Sequence, residues 1–180
     1  CIPFRFSGGD YFTVEEELQI MRGIAYILQD EDIQKAGANF IFDTQFLFHK
    51  YGIVPRGTLH CTQIAQKIAY PDLPAGLDAV TTMYTDIPYY KADGKQWMKM
   101  GYGSWEQWWN YNGMDAIIPT EAVPKQIEVL RKQHNERTYE RQRKLIKPLL
   151  YMGERGIRID VSGMMKYEAE QRKRLDELTL

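Results

Sequence analysis

From Val14 to Gln29 the apolar residues Leu18, Met21, Ala25 and Leu28 recur at helical spacing. Thr13, with Glu16 three positions later, has the form of a capping box, so the pattern predicts a helix over this span. Ahead of it Ile2, Phe4 and Phe6 alternate as in a strand, and Ser7-Gly8-Gly9-Asp10 reads as a turn. The run Ala38-Asn39-Phe40-Ile41-Phe42, bounded by Gly37 and Asp43, reads as a buried strand of parallel-sheet character with Asp43 at its carboxyl end. A short helix is predicted over 44–51, stopped by Gly52, and the segment 53–59 should end in another short strand. Helices follow over 61–70, stopped by Pro71, and over 77–84. Residues 85–103, rich in Tyr, Lys and Gly, form the longest irregular stretch. A helix over 104–118 is expected to break at Pro119-Thr120, with the next running over 121–134. A single helix over 137–155 should end at Gly156, then a short strand Ile157–Asp160, then a last helix from Val161 or Ser162 toward Leu178.

Strands and helices alternate in the first two-thirds and helices dominate the rest, which indicates α/β or α+β. The 180 residues suffice for one compact domain and a short tail belonging to another. With 44% hydrophobic and 26% charged residues, the chain is globular in composition rather than disordered. A net charge of −1 excludes bulk attraction to nucleic acid, so any such binding must come from local patches or from metal ions. The two cysteines, Cys1 and Cys61, offer neither a zinc ribbon nor a disulfide framework and fit a reducing cytoplasm. No apolar run approaches the roughly 20 residues of a membrane span. The chain starts at Cys1 inside what reads as a strand, and residues are expected upstream of it.

Two acidic residues stand out. Asp43, at the end of an apolar strand, is where open α/β folds put ligands. Asp115 lies four residues after Tyr111, so a helix presents phenol and carboxylate on one face. Two hard oxygen ligands converging on one spot suit Mg2+ or Mn2+, and Tyr111 is placed to orient a water. Taken singly, each residue has a plainer role: Asp43 as the cap of the following helix, Asp115 as a solvated helix residue, Tyr111 as a half-buried aromatic. Trp105, Trp108 and Trp109 have the spacing of core packing, favoured for Trp105 and Trp109. Trp108 shares the Tyr111–Asp115 face and is the better candidate for stacking on a base. The basic stretch 131–147 and the lysines Lys91, Lys95 and Lys99 read as solvated surface.

Order and flanking sequence lift the paired motifs above coincidence. Lys35-Ala36-Gly37-Ala38-Asn39-Phe40-Ile41-Phe42-Asp43, then Tyr51-Gly52-Ile53, Pro88-Tyr89-Tyr90-Lys91 and Tyr111-Asn112-Gly113-Met114-Asp115 resemble the later motifs of the 3′–5′ proofreading exonuclease domain of family A DNA polymerases. Pro148 to Asp160 resembles the segment that enters the polymerase thumb. The resemblance implies a ribonuclease H-like α/β fold over residues 1–155, with 156–180 opening the polymerase domain. It also implies two-metal hydrolysis, by two divalent ions (Mg2+ or Mn2+), of the 3′-terminal phosphodiester of single-stranded DNA. Asp43 and Asp115 would bind metal, Tyr111 would position the water, and Asn39 would touch the substrate strand. The partners implied are the DNA 3′ end and a polymerase domain in cis, in the cytoplasm. The family's first motif, Asp-x-Glu, is absent from the sequence, so the chain is expected to be inactive or nearly so alone. Ala38 and His60-Cys61-Thr62 also depart from many relatives. A ribonuclease D-like exoribonuclease, or a non-catalytic DNA-binding scaffold, remains the alternative.

Overall fold

The computed structural model describes residues 1–91 and 104–179. At its centre is a β–α–β unit. Strands β3 (Lys35–Gly37) and β4 (Leu59–Cys61) pair in parallel, with Lys35 opposite Leu59 and Gly37 opposite Cys61, and helix α2 (Phe40–Tyr51) makes the crossover that parallel pairing requires. Helices α3 (Thr62–Ala69) and α4 (Leu77–Tyr84) follow β4, and both pack along α5 (Trp105–Lys132). Helix α6 (Glu136–Lys144) lies on α3 and β4, and α7 (Ile146–Arg155) packs on α2. Three apolar clusters knit these elements. Phe40, Leu59, Cys61 and Ile146 join α2, β4 and α7; Ala65, Ala69, Leu130 and Tyr139 join α3, α5 and α6; Val80, Tyr84, Ile118 and Ala122 join α4 and α5.

Outside this body lie the N-terminal hairpin of β1 (Arg5–Phe6) and β2 (Gly9–Asp10), helix α1 (Val14–Gln29) and helix α8 (Val161–Thr179). The Thr13–Glu16 capping box forms as predicted, and α1 keeps its predicted bounds, yet none of its residues is buried. Its C-terminal turn is tied to the body where the Arg56 N–H donates to the Leu28 carbonyl, 2.9 Å. Gly57 (φ 71°) lets the chain pass there, since a Cβ would stand 2.3 Å from the Glu31 carbonyl oxygen.

The mixed α/β composition agrees with expectation, and α3, α4 and α8 fall within a residue or two of their predicted spans. Four expectations need correction. The strand expected over 38–42 ends at Gly37, and the apolar run is the first turn of α2. Asn39 makes the switch in the left-handed conformation (φ 53°), which Asn tolerates better than most side chains, and Phe40 then folds over Gly37. A short apolar run fits a buried helix face as well as a strand, and this one has a single β-branched residue, Ile41. Asp43 is therefore a first-turn helix residue rather than a strand end or a cap.

The second correction is that α5 does not stop at Pro119. Pro119 and Pro124 have no N–H to give to the carbonyls of Asp115 and Thr120, a cost of about 3 kcal/mol for a proline inside a helix. Burial of Ile118, Ala122, Val123, Gln126 and Leu130 on one face outweighs it. The helix ends instead at Lys132, capped by Gln133, and His134 beyond it turns left-handed, where the N–H groups of Asn135 and His134 reach back to the carbonyls of Leu130 and Arg131. Third, the helix expected over 137–155 is two, joined at Leu145. Pro148 falls in the first turn of α7, where its missing N–H is harmless but where it withholds a donor from the Lys144 carbonyl that would continue α6. Fourth, Ile157–Asp160 forms no strand: Ile157 is 90% exposed, and the Asp160 carboxylate instead accepts from the Gly163 N–H, 2.9 Å, at the start of α8. The irregular stretch is as expected over 85–90, and the rest of it lies outside the described residues apart from Lys91.

Candidate active site

Asp43 and Asp115 come from different helices and line one open cleft of about 440 Å³, with Ala36, Gly37 and Ala38 of the β3 end at its floor and Asn112, Ala116 and Pro119 along the α5 wall. Asp43 is brought there by the turn at Asn39, which aims the start of α2 past the end of β3. It is exposed on one side and crowded by protein on the other. The crowding pushes its carboxyl above the usual carboxylate range, against a smaller opposing effect of its own backbone N–H.

Asp115 is more elaborately held. Its Oδ1 accepts from the Tyr90 hydroxyl in a short contact and from the Lys91 ammonium at 2.5 Å. Lys91 also donates to the Tyr111 hydroxyl oxygen at 3.2 Å, so one ammonium spans the phenol and the carboxylate of Tyr-x-x-x-Asp. The same ammonium lies 4.8 Å from the centroid of the Tyr111 ring and 5.1 Å from that of Tyr90, within reach of cation–π attraction. Burial works to lower the Lys91 pKa, but the hydrogen bonds to Asp115 and Tyr111 outweigh it and the net shift is upward. Burial, then the bond to Asp115, drives the Tyr90 phenol far above its usual value, so Tyr90 stays a neutral donor.

Trp108 stacks on Tyr111 with ring centroids 5.4 Å apart and planes 7° apart, as the shared helix face predicts. Trp109 faces the other way, edge-on to Tyr11 of the N-terminal hairpin. Asn39 is exposed beside the cleft rather than in its lining, and makes no side-chain cap for α2. Among the described residues no three His, Cys, Asp or Glu side chains gather as a metal cage. The Tyr90–Lys91 contribution to the site has no signal in the sequence pattern. The residues are visible in Pro88-Tyr89-Tyr90-Lys91, but nothing in their spacing reports a contact with Asp115, 24 positions on from Lys91.

The family comparison points to a nuclease: residues 1–125 match a family model described as 3′–5′ exonuclease. The chain belongs to this family, the 3′–5′ exonuclease domain of A-type DNA polymerases. No curated protein matches it. Among the described residues, no helix is long and apolar enough to cross a membrane.

Proposed function

We propose that this chain carries the 3′-end-binding half of a metal-dependent exonuclease that removes nucleotides from single-stranded DNA in proofreading. The observation that carries the reading is the convergence of Asp43 and Asp115 on one cleft beside the β3 end. The two carboxylates fit Mg2+ or Mn2+, which are commonly held by one or two protein carboxylates with water and substrate phosphate completing the shell. Divalent ions so bound stabilise charge on the phosphate and make water nucleophilic near neutral pH.

Asp43 and Asp115 hold the ions. Tyr111 positions the water: its oxygen already accepts from Lys91, which leaves its own O–H free to donate to a water oxygen. Trp108, stacked on Tyr111, and Asn39, exposed next to Ala38 of the cleft lining, would contact the terminal nucleotides. On this reading the fold is the ribonuclease H-like one, residues 1–155 are the exonuclease domain, 156–180 open a polymerase domain in cis, and the setting is the cytoplasm. Because the sequence holds no Asp-x-Glu, the chain alone removes 3′ nucleotides at no more than a trace rate.

The test is binding and turnover of a 3′-labelled single-stranded oligonucleotide in Mn2+. Expected are Mn2+-dependent DNA binding, abolished by Asp43→Asn with Asp115→Asn, and negligible cleavage. Efficient cleavage would refute the need for further carboxylates. Tighter binding of the RNA of the same sequence would favour a ribonuclease D-like activity, and binding indifferent to metal and to both substitutions would favour a scaffold.

A further inference from the structure

The Asp115 carboxylate already has a cation. Its Oδ1 receives two donors, the Tyr90 hydroxyl and the Lys91 ammonium, and a carboxylate oxygen has two lone pairs to offer. A divalent ion that takes Oδ1 must therefore displace one of them. The neutral phenol suffers little from a neighbouring metal, whereas an ammonium within about 4 Å of a divalent charge is strongly repelled in a partly buried site. Lys91 is the member that has to leave, and its side chain is only 14% exposed, so the exchange is not a loose surface event.

We propose that Lys91 is a resident counter-cation that competes with divalent metal for Asp115 and so sets the metal affinity of the site. Lys91 also bridges to Tyr111, so metal entry and release of the Tyr111 hydroxyl from its ammonium partner are one event. The Tyr111 oxygen is then open to accept from a water, as well as donate to one, once the carboxylate is taken by metal. The Tyr90 and Tyr111 rings give the ammonium a place to remain nearby, which keeps the exchange reversible. Lys91 is in these terms a positioning residue that acts through Asp115 and Tyr111.

The inference rests on Asp115 being a metal ligand, and the experiment separates the two ideas. Mn2+ is titrated into the whole chain and free Mn2+ read by electron paramagnetic resonance, for the wild type, Lys91→Met, Lys91→Gln, Lys91→Arg and Asp115→Asn, each checked for folding by circular dichroism. Removing the ammonium is expected to tighten Mn2+ binding about tenfold, the scale of one hydrogen bond to a charged group. Lys91→Arg should stay near the wild type, and Asp115→Asn should bind far more weakly. Unchanged or weaker binding in both Lys91→Met and Lys91→Gln, while Asp115→Asn still loses the metal, overturns the competition and leaves the metal reading intact. Binding that survives Asp115→Asn, or no binding in any variant, overturns both.

Discussion

Helices α1 and α5 are both opened by capping boxes, Thr13–Glu16 and Ser104–Gln107, and both carry apolar residues at helical spacing. Their fates differ. Helix α5 buries Ile118, Ala122 and Leu130 completely and lies against α3 and α4, in spite of two internal prolines. Helix α1 breaks no rule of helix formation, yet Val14 and Tyr26 are more than 70% exposed and nothing on it is buried. Amphipathic patterning shows which face seeks a partner, and a cap shows where a helix begins. Neither supplies the partner, and most helical stability in proteins comes from tertiary packing. The candidate site lies on the packed side of this divide.

The sharpest way to break the comparison is to remove equal chemistry from each helix. Ile118→Ala opens a cavity in the sealed α4–α5 cluster and is expected to cost about 3 kcal/mol in a denaturant titration. A loss under about 1 kcal/mol would mean that the cluster collapses around the gap and that α5 is less tightly packed than its burial implies.

A smaller effect is expected at the site. Asp115→Asn strips the Lys91 ammonium of its anion in a partly buried position and should cost about 1–2 kcal/mol in the same titration, with Lys91→Met in that background restoring part of it. Failure of the second substitution to restore anything would show that Lys91 does not depend on Asp115 for its counter-charge.

His60 on β4 tests the packed body through pH. Its Nε2 faces the Gln34 side-chain oxygen at 3.2 Å, so that nitrogen carries the proton, and Nδ1 accepts from the Tyr139 hydroxyl at 3.1 Å. Burial, and next the Arg143 charge, hold the His60 pKa below its usual 6.5, while burial pushes Tyr139 up to about 12. The unfolded chain then binds a proton more readily than the folded one. Stability from neutral His60 is fully present above pH 6.5 and is lost as pH falls through the folded value. Thermal melts between pH 8 and pH 5 should show a falling Tm that His60→Gln flattens. An unchanged slope in that variant would place the acid sensitivity elsewhere.

The smallest effect belongs to α1. Leu18→Ala and Tyr26→Ala should each change stability by less than about 0.5 kcal/mol, and the α1 amides should exchange with solvent faster than those of α5. Protection of α1 equal to that of α5 would erase the contrast.

What the sequence revealed follows the same line. Elements set by local signals were legible: α1 by its capping box and α3 by Pro71 beyond its end, while α4 keeps its expected span. Asp43 was placed correctly between two elements but on the wrong one, because Phe40-Ile41-Phe42 suits either period and a left-handed Asn39 decided the matter. Proline does not decide the helix at 119, where burial wins, but does at 148, where it separates α6 from α7. The Tyr111–Trp108 stack was foreseeable from one helix face. The contact of Lys91 with Asp115 was not, since it depends on how the segment after α4 returns to α5.

Pro119 has a mechanical consequence. A rung of the α5 ladder is missing directly after the turn that carries Asp115, a second is missing at Pro124, and the rod beyond Pro119 is clamped by Ala122 and Leu130. Flexure of the rod concentrates at such a gap. The stretch from Trp105 to Asp115 is then a short lever with its fulcrum at the cleft wall. Small tilts of it change the span between Asp115 and Asp43 without disturbing the clamp. A tilt at this joint would therefore change the spacing of the two carboxylates without repacking the core.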